Sequence, residues 1–174
     1  KEMRFNNLFN YGSDNSVDFS KVSGIVGIFG KNYSGKSSII DSLLFGLYNT
    51  TSKGERKNVH IINQNKESAS IKLVFNAAGQ EYKISRNLNK VNKTVRGKKT
   101  IDAKGDLDFT NLTINESCNG DSKTNTDANI RKVIGSIDDF MITSMASQLD
   151  SLSFIKEGST KRKEILAKFL DLDL

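Results

Sequence analysis

The residues of this chain best suited to chemistry lie together, at Gly30-Lys-Asn-Tyr-Ser-Gly35-Lys36-Ser37-Ser38. Their spacing fits G-x-x-x-x-G-K-[ST], a phosphate-binding loop, without a mismatch. A triphosphate is a dense anion, and holding it takes many aligned donors. A turn between Gly30 and Gly35 can aim successive backbone N–H groups at one point, a nest for anions. A helix starting near Lys36 adds its free N–H groups and the positive end of its dipole. In that arrangement Lys31, Asn32, Tyr33 and Ser34 supply loop backbone. Lys36 reaches the β- and γ-phosphates, the Ser37 hydroxyl ligates the bridging Mg²⁺, and Ser38 adds a donor near the α-phosphate. The expected ligands are a nucleoside triphosphate and Mg²⁺.

The flanks suit the loop. Gly24-Ile-Val-Gly-Ile-Phe29 is a short apolar run that reads as a buried strand. After the loop, apolar residues at 39, 40, 43, 44 and 47 have helical spacing. A chance match in a Gly/Ser-rich turn would not bring both flanks, and a degenerate loop would not keep both Lys36 and Ser37.

The other elements read as mostly strands first and helices last. Met3–Phe9 and Ser16–Phe19 are expected strands. Ile71, Leu73 and Phe75 alternate with Ser70, Lys72 and Asn76. A turn at Ala77-Ala-Gly-Gln80 then leads to Tyr82 and Ile84 on one face, a hairpin pattern. Thr94–Ile101 and Leu107–Ile114 read as weaker strands, and Asn115–Asp127 as a loop. Asp127 is the expected N-cap of a helix over 128–134. Asp138–Ser144 reads as a short helix, and a last helix starts at Ser159 or Thr160, with Ile165, Leu166, Phe169 and Leu170 on one side. Repeats are not visible.

The chain has 174 residues, 36% hydrophobic and 26% charged, enough for one domain with a core. No apolar run reaches bilayer length, and no secretory pattern is seen. One cysteine, Cys118, excludes an internal disulfide and fits a reducing cytoplasm. With one Cys and one His, a zinc site is not supported. Net charge is +6, which favours polyanionic partners. Lys90, Lys93, Arg96, Lys98, Lys99 and Lys104 form a basic run. It reads either as a solvated hairpin or as a sequence-independent contact to DNA phosphates. Proline is absent and Lys and Asn abound, which reads as coding bias rather than chemistry.

A phosphate loop does not by itself choose among kinases, GTPases and motor-like ATPases. The hydrolytic classes add a carboxylate on a neighbouring strand and a group that orients water. An apolar strand ending in Asp-Glu, the Walker B element, is not found in this sequence.

Gly30 through Tyr48 resembles the P-loop of the SMC-like ATPases of the SbcC type. That group includes double-strand-break repair ATPases and the large subunits of phage recombination endonucleases. Further segments match in order. Asn7-Leu-Phe-Asn-Tyr11 resembles the family's opening strand motif, Val17-Asp-Phe19 the next strand, and Tyr82-Lys-Ile-Ser-Arg86 a hairpin ending in Arg. Ala146-Ser-Gln148-Leu-Asp150 resembles the Q-loop, and Phe154–Leu174 the leucine-rich segment that follows, with Ser159-Thr-Lys-Arg162 at its start.

The resemblance implies an α/β P-loop NTPase of the ABC/SMC-like head type, a parallel core sheet with an antiparallel β-subdomain. Residues 1–174 would be the N-terminal lobe of a split head, ending near the start of a coiled coil. The ligands would be ATP and Mg²⁺. Lys36 and Gln148 would be catalytic, Gln148 meeting Mg²⁺ together with Ser37, and Asn10 would lie by the nucleotide with Phe9 and Tyr11. Arg86 reads as a structural ion-pair residue or an interface contact. The implied partners are a C-terminal lobe of the same protein, a second copy of the head, an SbcD-type metallo-nuclease and double-stranded DNA. No membrane is implied, and the location would be cytoplasmic, at a nucleoid or in a phage-infected cell.

One departure is Tyr33, where the family usually has Gly. A bulky residue at positive φ is costly, and the loop is expected to accommodate it. The alternatives are an SMC- or RecF-like ATPase that clamps DNA without a nuclease, a small kinase or GTPase, and a nucleotide-binding module without turnover. The kinase or GTPase reading lacks an Asn-Lys-x-Asp motif and an Arg-rich lid.

Overall fold

The computed structural model describes residues 1–32, 34–54, 57–95, 98–144, 158–160, 162, 163 and 167. They belong to two compact units, Lys1–Ile134 and Gly135–Leu174.

The first unit is built on a six-stranded sheet in the order β2-β1-β3-β4-β5-β6. Its strands are β1 Glu2–Asn6, β2 Asn15–Asp18, β3 Ser68–Ala77, β4 Gln80–Val95, β5 Lys98–Asn111 and β6 Glu116–Ser117. All five pairings are antiparallel. The alternation read in β3 and β4 decides which face is covered. Ala69, Ile71 and Leu73 turn inward with Tyr82, Ile84 and Leu88, joined by Met3 and Phe5 from β1 and Phe109 from β5. The opposite face carries Arg4, Asn6, Ser70, Lys72 and Asn87, in register across β1, β3 and β4. This is the apolar-in, polar-out pattern of an antiparallel sheet covered on one side.

Helix α1, Lys36–Tyr48, is part of that cover. Leu44, Phe45 and Tyr48 are buried, and Gly46 lies so near β3 that an added Cβ would sit 2.5 Å from Leu73 Cδ1. A side chain at 46 would push the helix off the sheet. Ile39, Leu43 and Leu47 are partly buried and pack against the same core, while Ile40 is exposed.

The expected strand over Gly24–Phe29 is not formed. Residues 22–31 have no strand structure, and Ile25 and Phe29 are 104% and 94% exposed. A strand that is apolar on both faces needs neighbours on both edges and covers on both faces. Among the described residues none pairs with this segment, and the sheet they form has no parallel pair.

Three smaller expectations are also corrected. Thr94–Ile101 is not one strand: β4 runs through Val95, and β5 is continuous from Lys98. The β4–β5 pairing extends from Tyr82↔Asn111 out to Val95↔Lys98, because each residue of a long hairpin adds ladder bonds once the turn is closed. Helix α2, Lys123–Ile134, starts earlier than expected. Its cap is Ser122, whose Oγ accepts from Asn125 N–H at 3.1 Å, and Asp127 lies inside the helix.

In the second unit, α3 spans Ile137–Thr143. Ser136 and Asp139 form a reciprocal capping box there. Ser159, Thr160, Arg162, Lys163 and Ala167 are helical. Among the described residues no helix is long and apolar enough to cross a membrane.

Candidate functional site

Loop and helix meet at Gly35. It is the N-cap of α1 with φ +91° and ψ 14°, a left-handed conformation that glycine adopts without steric cost. It brings no side-chain cap, so the Lys36 and Ser37 N–H groups stand at the positive end of the helix dipole without one. The loop is closed by Ser34 N–H to Lys31 O at 3.2 Å and Ser38 N–H to Gly35 O at 2.9 Å. Lys36 Nζ donates to Gly30 O and Lys31 O, both at 2.7 Å. A flexible ammonium thus lies across the loop on two carbonyls, which a stronger anionic acceptor can replace. Ser37 is exposed in the same first turn, and Ser38 is half-buried.

These groups fit a polyphosphate with Mg²⁺: uncapped helix donors, a lysine held by weak acceptors, and an exposed serine hydroxyl. Gly30, Lys31, Asn32, Ser34, Gly35, Lys36, Ser37 and Ser38 are brought together as expected. Tyr33 and Gln148 lie outside the described residues. Asn10 is exposed.

The opening motif reaches the loop through Tyr11, next to the expected Asn10. The Tyr11 hydroxyl donates to Gly35 O at 3.1 Å. Its ring packs edge-on against Phe5, with centroids 5.2 Å apart. Asn63 holds the backbone of this turn, donating from Nδ2 to Tyr11 O at 3.0 Å and from its N–H to Asn7 O at 2.8 Å. Burial pushes the Tyr11 phenol above its ordinary value of 10.0, so it stays an O–H donor at neutral pH. Sequence reasoning placed Tyr11 beside the nucleotide without its bond to Gly35 and passed over Asn63, since nothing in a lone Asn signals a turn it will meet 52 residues away.

The far end of α1 is tied down by Arg86, the last residue of the hairpin motif. Nε donates to Gly46 O at 2.8 Å, one Nη to Leu47 O at 3.3 Å, and the same nitrogen pairs with Asp127 at 2.6 Å. Of the two readings for Arg86, the structure selects the ion pair. Burial lowers the guanidinium pKa, and Asp127 opposes that shift by hydrogen bond and charge. A cation on the last carbonyls of a helix also meets the negative end of its dipole.

The basic run sits on the β4–β5 arm. Lys93 pairs with Asp102 at 3.7 Å and Lys90 Nζ donates to Gln64 O, while Lys99 and Lys104 are exposed. Arg96 lies outside the described residues.

Residues 2–173 match the AAA domain family. An uncharacterised protein of Acanthamoeba polyphaga mimivirus is 32% identical over 99% of this chain and 13% of its own length. The SbcC component of the nuclease SbcCD of Clostridium acetobutylicum is 29% identical over 98% of this chain and 14% of its own. The DNA double-strand break repair Rad50 ATPase of Thermoplasma volcanium is 26% identical over 99% of this chain and 18% of its own. The chain therefore spans less than a fifth of the length of the curated relatives it matches.

Proposed function

We propose that this chain, which belongs to the AAA domain family and is of the SbcC/Rad50 type, is the ATP-binding N-terminal lobe of a split ATPase head acting in DNA repair or recombination. The observation that carries the reading is Lys36, lying across the Gly30–Gly35 loop on two carbonyl oxygens beside an uncapped helix N-terminus.

On binding, Lys36 would exchange those carbonyls for β- and γ-phosphate oxygens, and the first N–H groups of α1 would donate to phosphate. Ser37, together with Gln148, would hold Mg²⁺. Bound Mg²⁺ neutralises phosphate charge and polarises the γ-phosphate. Asn10 would lie at the nucleotide's edge. This sequence carries no Walker B carboxylate, so hydrolysis would need a C-terminal lobe of the same protein. The exposed apolar run Ile25, Val26, Ile28 and Phe29 supports that reading. It would become a strand of a parallel core sheet when that lobe supplies its neighbours. Two such heads would sandwich ATP, and the γ-phosphate, touching both, would switch a metallo-nuclease partner on DNA ends.

Calorimetric titration with MgATP tests the core of this reading. The wild-type chain should bind, and Lys36→Ala should lose binding with an unchanged melting temperature; equal binding by both would refute it. In the assembled head, Gln148→Ala should keep ATP binding and abolish turnover. For DNA, neutralising Lys93, Lys99 and Lys104 should lower the salt dependence of binding by up to about 3 in log–log slope. An unaltered slope excludes the β4–β5 arm.

A further inference from the structure

We propose that Tyr11 is a positioning residue for the phosphate loop: its hydroxyl fixes the Gly35–Lys36 peptide so that the Lys36 N–H faces the bound phosphates. This rests on the reading of the loop as a phosphate site.

The argument is one of peptide geometry. The C=O of Gly35 and the N–H of Lys36 belong to one planar trans unit and point in opposite directions. Anchoring the carbonyl on one side therefore aims the amide to the other. Gly35 O accepts from Tyr11 Oη at 3.1 Å and from Ser38 N–H at 2.9 Å. The second bond lies along the helix and is formed by any tight first turn. The first comes from outside and bears on the rotation of the peptide plane about the ψ of Gly35, 14° here, a torsion that a residue without a Cβ restrains least.

The anchor is itself well held. The Tyr11 ring lies on Phe5, a buried residue of β1. Its own carbonyl is gripped by Asn63 and its N–H donates to Leu8 O at 2.9 Å. Ring and glycine also fit by shape, since a Cβ at position 35 would lie 3.3 Å from the Tyr11 ring. A larger residue at 35 would push away the group that orients the loop. The opening motif thus acts on the loop backbone through a hydroxyl, which the aromatic ring alone could not do.

Tyr11→Phe keeps the ring on Phe5 and Gly35 and removes the hydroxyl alone. Titration of the chain with MgATP and with Mg-tripolyphosphate, beside Lys36→Ala and thermal melting, tests the proposal. Freeing the Gly35–Lys36 peptide adds an ordering cost to binding on the scale of one neutral hydrogen bond, which predicts affinity about three- to tenfold weaker for both ligands, with the variant still folded at the titration temperature. Tyr11→Phe binding as wild type, while Lys36→Ala does not bind, overturns the role of Tyr11 and leaves the phosphate site standing. A loss confined to ATP makes Tyr11 a base or ribose contact and overturns the proposal, as does a loss that only follows a lower melting temperature. Wild type that binds neither ligand overturns the phosphate site and this inference together.

Discussion

Two apolar segments of this chain meet opposite fates. Ile71 and Leu73 of β3 are 2% and 3% exposed, while Ile25 and Phe29 are fully open. Both segments are short, rich in β-branched or aromatic residues, and placed beside α1 in sequence or space. The difference is supply. β3 has β1 on one edge and β4 on the other, and α1 above it. Residues 24–29 have no such neighbours among the described residues. Apolar content therefore marks what must be buried, but a strand exists only where another strand completes its backbone bonds. The same contrast divides α1, whose Phe45 side is sealed against the sheet while Ile40 on the opposite side remains exposed.

The largest test of this contrast is on the sealed side. Phe45→Ala removes a fully buried ring and should cost about 3–5 kcal/mol, read by denaturant unfolding. A cost below about 1 kcal/mol would mean that α1 is held by something other than the sheet. Next is Arg86→Met, which strands Asp127 and two α1 carbonyls. It should cost about 3 kcal/mol, and Arg86→Lys should recover little of it, because one ammonium cannot reproduce the fork.

A smaller effect concerns Asp108 on the sheet's open face. Burial raises its pKa, but the Asn119 amide, the Thr110 hydroxyl and Lys83 together hold it below 3.8. A carboxylate whose folded pKa is depressed stabilises the fold above its unfolded pKa and loses that contribution as pH falls through the lower folded value. Unfolding measured down through about pH 4 and below should therefore show a small acid limb that Asp108→Asn removes. Smallest of all is Phe29→Ser, which should leave the melting temperature of this chain unchanged because the ring buries nothing. If the proposed C-terminal lobe covers this run, the same change should weaken its association with this chain. A stability loss in this chain would break the comparison.

The turn at Gly35 and the helix after it were legible because both depend on contiguous backbone, so spacing alone encodes them. The β3–β4 hairpin was legible for the same kind of reason: a local turn flanked by alternation at period two. The strand expected at Gly24–Phe29 failed because burial is a property of neighbours. Asp127 was expected as a cap on residue type, yet it lies in the second turn of α2, where the buried charge of Arg86 is its partner. Ser122, an equally good cap, starts the helix instead. Tyr11 was expected beside the nucleotide through its motif; its hydroxyl bond to a backbone carbonyl 24 residues away could not be read from spacing.

The sequence by itself determined the G-x-x-x-x-G-K-S pattern and its helix, the facing of the antiparallel strands and the kinship. Each of these is written in local pattern or in order along the chain. Tertiary structure decided which helix face is sealed, that Arg86 locks the end of α1, and that Tyr11 holds the turn at its beginning. Those depend on close approaches between residues far apart in sequence, where a few tenths of an ångström separate a hydrogen bond from none.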